Sequence, residues 1–132
     1  MVLTPTYYVF KMYVPFQDAT FVPITYDAGT YTNGDITLPR TDAIAARDAT
    51  GKLRLAITNL DPNLPVDINV SVGGIAPRSI TGETLTASKV DSVNSFDGPN
   101  TVVPKPISGK MQQGKLSLNL PPKSVTVVWV EQ

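Results

Sequence analysis

The chain of 132 residues carries eleven basic and eleven acidic side chains, with no cysteine and no histidine. Its length suits one domain, and balanced charge without a basic stripe argues against a nucleic-acid partner. Lacking Cys and His, it has no disulfides or thiolate metal sites and is missing the commonest general base, so no cofactor is expected.

The first thirteen residues differ from the rest. Thr4 can cap free amides, and Pro5 sits where a helix tolerates a missing N–H. Val9 and Tyr13 share a helical spacing, as do Tyr8 and Met12, with Phe10 beside them. The pattern predicts a short helix that is apolar or aromatic on nearly every face. Little downstream reads as a surface for it, so a missing partner and a fragment of a larger protein are expected.

Everything after Phe16 reads as strands and turns, punctuated by twelve prolines and nine glycines. Phe21–Tyr26 is an extended run interrupted by Pro23, which suits an edge. Asp27–Arg40 reads as loop with turn signals at Ala28-Gly29 and Asn33-Gly34 and one short strand at Ile36–Leu38. Ala43–Arg47 and Leu53–Asn59 flank Asp48-Ala49-Thr50-Gly51, a hairpin signal. After a turn at Leu60–Pro65, the run Val66–Val72 alternates apolar and polar residues until Gly73-Gly74.

Ile80–Ala87 reads as a strand broken at Gly82, and Ser88–Pro106 as a long aperiodic segment. Leu116, Leu118 and Leu120 mark a further strand, Pro121-Pro122-Lys123 a turn. Val125–Val130 closes the chain with a continuous apolar run that implies burial on both faces. Roughly eight to ten short strands predict an all-β, antiparallel jelly-roll β-sandwich behind one N-terminal helix. The apolar runs are too short to cross a bilayer as helices, so no membrane partner is expected, and no charged-then-apolar leader opens the chain.

Candidate chemistry is thin. The two glutamates are Glu83, mid-strand, and Glu131, beyond the last strand and expected in solvent. Asp91 and Asp97 share the long loop, where such residues usually bond their own backbone. Asp61, Asn63 and Asp67 could suggest calcium, but Pro65 takes a ligand position and no closing Glu follows, so a turn is the better reading. Asn69-Val70-Ser71 matches a glycosylation triplet inside a strand. Among aromatics, Trp129 is expected in the core, Phe96 lies in the long loop, and Tyr26 and Tyr31 bracket a loop as a possible sugar-contact platform. The sites are therefore catalytic none, metal none, cofactor none, with Tyr7, Tyr8, Val9, Phe10, Met12 and Tyr13 as a possible association surface.

Four segments in order carry a resemblance: Thr4-Pro5-Thr6-Tyr7-Tyr8-Val9-Phe10-Lys11-Met12-Tyr13, then Ala46-Arg47-Asp48 with Asn59-Leu60-Asp61-Pro62, then Asn94-Ser95-Phe96-Asp97-Gly98-Pro99-Asn100, then Leu120-Pro121-Pro122-Lys123-Ser124-Val125. Over nearly its whole length the chain resembles the C-terminal region of glycoside hydrolase family 51 α-L-arabinofuranosidases. The family usually has His where Tyr8 stands. The resemblance implies a (β/α)8 catalytic barrel upstream, holding two catalytic glutamates with no counterpart here. Residues 1–16 would be the last barrel helix and linker, and 17–132 the C-terminal β-sandwich. The parent would be a retaining hydrolase of terminal α-L-arabinofuranosyl groups, cytoplasmic rather than secreted. The family's sandwich also tends to recruit a short segment from the enzyme's N-terminus, which implies an exposed sheet edge and self-association here. A carbohydrate-binding module is the alternative function.

Overall fold

The computed structural model describes residues 1–74, 76–113 and 115–132. Helix α1 spans Pro5–Tyr13, opened by the Thr4 side chain, whose oxygen accepts from the Tyr7 amide at 3.1 Å. A single 3-10 turn, Val14–Phe16, follows. The strands are β1 (Thr20–Val22), β2 (Thr30–Asn33), β3 (Ile36–Pro39), β4 (Thr41–Arg47), β5 (Leu53–Asn59), β6 (Val66–Val70), β7 (Ser79–Leu85), β8 (Lys105–Ser108), β9 (Lys110–Gln112), β10 (Lys115–Leu120) and β11 (Ser124–Glu131).

A six-stranded sheet in the order β1-β4-β5-β11-β7-β8 faces a three-stranded sheet, β6-β10-β9, while β2 and β3 form a separate ribbon. All pairings are antiparallel. This is the expected sandwich. Its main core joins Leu55, Ile57, Ile80, Val128 and Val130 of the large sheet to Val66, Leu116, Leu118 and Leu120 of the small one. The three leucines of β10 are at most 1% exposed, so the period of two in that segment does mark an inward face.

A second core lies on the other side of the large sheet. Met12 of α1, 5% exposed, packs with Ala56, Leu85, Val102 and Val127, and Tyr8, Val9, Tyr13 and Phe16 pack against that group. The helix therefore has a partner within the chain, contrary to the expectation that none exists. The reason is the strand period: even-numbered residues of β5 and odd-numbered residues of β11 present a second, outer apolar face. Helix, large sheet and small sheet make three layers. Strand β11, central and covered on both sides, explains the unbroken apolar run.

Three local expectations are corrected. Asp27–Arg40 contains a two-stranded hairpin, Asn33 pairing with Ile36 across Gly34-Asp35, with Gly34 at φ +59°. Strand β7 is not broken at Gly82. That residue pairs with Val128, and a side chain there would collide with the Val127 carbonyl and lie 2.6 Å from Val128 Cα. The long aperiodic segment ends in β8, and β9 follows in the opposite sheet. Gly109 is the corner between them: its amide donates to Ile80 O at 2.8 Å, and a Cβ would meet the Ser117 carbonyl at 2.7 Å.

Candidate functional site

On the outer face of the large sheet, α1 and the loop at Val102 cover the patch of Ala56, Leu85 and Val127. A transverse row of paired residues runs across the same face: Phe21, Ala46, Arg54, Trp129, Thr81 and Ser108. Trp129 is thus on this face and not in the core, because its odd number places it opposite Val128 and Val130. Its indole N–H donates to Glu131 Oε1 at 2.8 Å, and Lys52 Nζ and Arg54 Cζ stand 5.8 and 5.2 Å from the ring centroid. Glu131 also accepts from Lys52 at 3.4 Å, so it is a surface clasp and not the freely solvated terminus expected.

Glu83 is exposed on the same face, opposite Val127. Four residues along β11 separate its row from Glu131, roughly 13 Å of strand. Glycosidase carboxylates stand about 5–10 Å apart. The rows of these two glutamates are farther apart than that span, and the Glu131 carboxylate is engaged by Trp129 and Lys52.

The hairpin between β4 and β5 is organised by Asp48. Its Oδ1 accepts from the Thr50 hydroxyl at 2.6 Å and from the Thr50 and Lys52 amides, while Oδ2 accepts from Arg54 Nε at 2.8 Å. These donors, the Thr50 hydroxyl first and Arg54 next, hold its carboxyl well below the ordinary carboxylate value of 3.8. A depressed carboxylate adds stability above its unfolded-state pKa and loses it as pH falls through the folded one. We expect the thermal-melting advantage of the wild type over Asp48→Asn to be full near neutrality and to shrink steadily below pH ~4. A difference that stays constant from pH 7 to pH 2.5 would contradict this reading (an acid-side melting series suffices).

Asp61 is likewise a turn residue. Its Oδ1 accepts from the Asn63 and Leu64 amides, both at 2.9 Å. Those bonds, followed by the charge of Arg40 at 3.5 Å, hold its pKa down. Among the described residues no group of three or more acidic, His or Cys side chains could hold a metal. Asp91 and Asp97 are exposed in the long loop. In that loop Asn94 ties the chain to the helix entry, donating to Leu3 O and Val102 O, both at 2.8 Å, and accepting from the Val102 amide at 2.7 Å. Phe96 beside it is 88% exposed.

The small sheet covers only part of the large one, which leaves a cleft of about 670 Å³. Ala43, Ala45 and Leu55 form one wall, Ile68 and Val70 of β6 the second, and the Val22–Ala28 run the third. Among the described residues β6 pairs only with β10, which leaves its other edge free there. Arg47, Asp67 and Asn69, the last being the asparagine of the Asn-Val-Ser triplet, give the cleft a polar rim. Tyr26 lines it, with its hydroxyl donating to Asp42 Oδ1 at 3.2 Å. Tyr31 stands on β2 opposite Leu38. The two tyrosines thus belong to different features. The cleft itself had no sequence signal, because it arises from unequal sheet widths.

Of the association surface, Met12 is buried against the sheet and Tyr8, Val9 and Tyr13 are partly covered. Tyr7 and Phe10 remain outside, at 45% and 73% exposure, and Val14 joins them. Burial raises the Tyr13 pKa; the Thr58 bond opposes this and Asp42 adds to it.

The family of α-L-arabinofuranosidase C-terminal domains matches residues 1–124. The chain belongs to this family. An "Intracellular exo-alpha-L-arabinofuranosidase" of Bacteroides ovatus is 38% identical over 130 residues, covering 97% of this chain and 25% of that protein. The crystal structure of the family 51 arabinofuranosidase from Xanthomonas axonopodis pv. citri superposes with a TM-score of 0.93 at 33% identity, covering 99% of this chain and 27% of that one. The thermostable enzyme of Thermotoga petrophila shares the fold, with a TM-score of 0.79 at 23% identity and coverage of 98% and 29%. The arabinofuranosidase C-terminal domain thus spans about a quarter of the length of relatives such as these. Of the segments that carried the resemblance, Thr4 caps α1, Asn94 clamps the long loop and Asn59–Pro62 forms a turn.

Proposed function

We propose that this chain is the non-catalytic β-sandwich of an α-L-arabinofuranosidase, and that it buttresses a (β/α)8 catalytic barrel and contributes to oligomer contacts. The observation that carries this reading is coverage: nearly the whole chain aligns, yet with only 25% and 27% of two arabinofuranosidases. In this reading residues 1–16 are the last barrel helix and its linker, residues 17–132 the sandwich, and the free edge of β6 receives a segment of the upstream polypeptide. The parent removes terminal α-L-arabinofuranosyl groups from hemicellulose oligosaccharides. A cytoplasmic location is supported by the word "intracellular" in the name of the Bacteroides ovatus relative.

The isolated chain is expected to release no nitrophenol from a chromogenic arabinofuranoside, whereas the parent enzyme turns it over. Turnover that stays with the chain through stringent purification would sink the proposal. In isolation the chain also self-associates, through Tyr7, Phe10 and Val14 or through the β6 edge. A clean monomer in sedimentation at high micromolar concentration would contradict that.

One observation favours a second reading, a carbohydrate-binding module: half-exposed Tyr26 lines an open cleft with a polar rim. Affinity electrophoresis through arabinoxylan and arabinan separates the two. Retardation lost on Tyr26→Ala, with Tyr31→Ala as the comparison, supports the module, and unretarded migration supports the buttress.

A further inference from the structure

Strands β1 and β4 are hydrogen-bonded neighbours, yet residues 23–40 run between them. The next neighbours, β4 and β5, are joined by residues 48–52 alone. Adjacent antiparallel strands need only a few connecting residues, so a connection that carries a hairpin of its own is an addition to the sheet. This one is built and anchored. At its base the Arg40 amide donates to Gly29 O at 2.9 Å, the Gly29 amide to Asp27 Oδ1 at 2.9 Å, and Tyr26 to Asp42. Gly29, at φ +82°, takes the left-handed bend where the ribbon departs.

Beyond that base the hairpin has two unlike faces. Pairing puts Tyr31 with Leu38 and Asn33 with Ile36 on one side. Thr32 and Thr37 share the other, their hydroxyls 3.0 Å apart. Ile36 and Leu38 are 64% and 45% exposed, and neither strand joins the larger sheets. A lone two-stranded ribbon is at best marginally stable in water, so this apolar face calls for a surface beyond the chain. Pro39 offers no amide along β3, which disfavours addition of another strand at that edge and leaves the face as the means of contact.

We propose that the β2–β3 hairpin is a docking arm whose Tyr31, Ile36 and Leu38 face packs on the upstream, catalytic part of the same polypeptide. The proposal rests on the C-terminal-domain reading. Two observations select that occupant over a second copy. Tyr26 and Ala28, at the root of the arm, also line the cleft beside β6, so the arm prolongs the side that the C-terminal-domain reading gives to the upstream polypeptide. About three-quarters of the length of the relatives lies outside the match, which supplies a surface of sufficient size.

The test is amide hydrogen exchange on the full-length parent enzyme and on this chain. Amides of residues 30–38 are expected to exchange at least about tenfold more slowly in the parent. Ile36→Asp with Leu38→Asp in the parent should abolish that difference while β5 and β11 stay protected, and Thr37→Asp on the opposite face should preserve it. Equal exchange in the two proteins, with α1 and β6 still more protected in the parent, would overturn the arm alone. Protection of residues 30–38 that vanishes when the parent is diluted to monomer would place a second copy on the face and also overturn it. If α1, β6 and the hairpin all exchange alike in both proteins, the C-terminal-domain reading fails with it.

Discussion

Gly82→Ala should be the most damaging single-methyl change in this domain. The new Cβ would point into the backbone of β11, at the Val127 carbonyl and 2.6 Å from Val128 Cα. An overpacked side chain often finds relief by rotating, but backbone cannot. Here β11 is fixed on its far side as well, because Val127 and Val128 pair with Ala56 and Leu55 of β5. Relief therefore requires opening the centre of a six-stranded sheet. We expect a loss of at least about 3 kcal/mol, the upper part of the range for overpacking and a large share of a small domain's stability. Urea unfolding followed at Trp129 measures it directly. A midpoint close to that of the wild type would show that β7 and β11 can separate locally, against this description.

The second large effect is expected at Asn59, which is 1% exposed. Its amide nitrogen donates to Leu64 O at 3.0 Å and Pro121 O at 2.9 Å, and its oxygen accepts from the Asp61 amide at 3.1 Å. One side chain thus clamps the turn after β5 to the turn before β11. A further bond, from the Lys123 amide to Asp61 O at 2.8 Å, joins the same two turns. Asn59→Ala leaves Leu64 O and the Asp61 amide without these partners, each costing about 1–3 kcal/mol where water cannot enter, while Pro121 O keeps the Ser124 hydroxyl. We expect a total near 3 kcal/mol, allowing for some hydration. Ser124→Ala is the internal comparison, since it removes only the 2.7 Å bond to Pro121 O and should cost about 1 kcal/mol. Equal losses in the two variants would mean that the clamp contributes no more than a single hydroxyl.

These two residues also show how far the sequence was legible. Local signals were readable wherever one short-range force dominates: the Thr4 cap, the Asp48–Gly51 hairpin, the alternation in β6 and the leucines of β10. Tertiary contact overrode them elsewhere. A glycine in a strand reads as a break, yet Gly82 is required by the approach of β11. The β8 and β9 strands were missed because Lys105–Gln112 contains two lysines and a proline, and its pairing depends on a corner at Gly109. Trp129 was misplaced because burial on both faces was equated with core, whereas the outer face carries a polar half. The helix partner was missed because it is assembled from three strands and a loop. The candidate surfaces were the least legible. A cleft set by unequal sheet widths leaves no motif, and the apolar arm was hidden in what read as loop.

The place of β11 has a consequence for how the domain is made. It lies between β5 and β7 at the centre of the large sheet, and among the described residues it is the last strand in chain order. Without β11 the large sheet divides into two halves, β1-β4-β5 and β7-β8, each with an open edge where β11 belongs. The step that joins them closes contacts between residues 53–59 and 124–130, far apart in sequence, which is the slow class of folding event. An upstream domain in the same polypeptide would be complete before this insertion occurs. The interval is the period of greatest exposure to aggregation, and a stop anywhere before residue 124 would make it permanent.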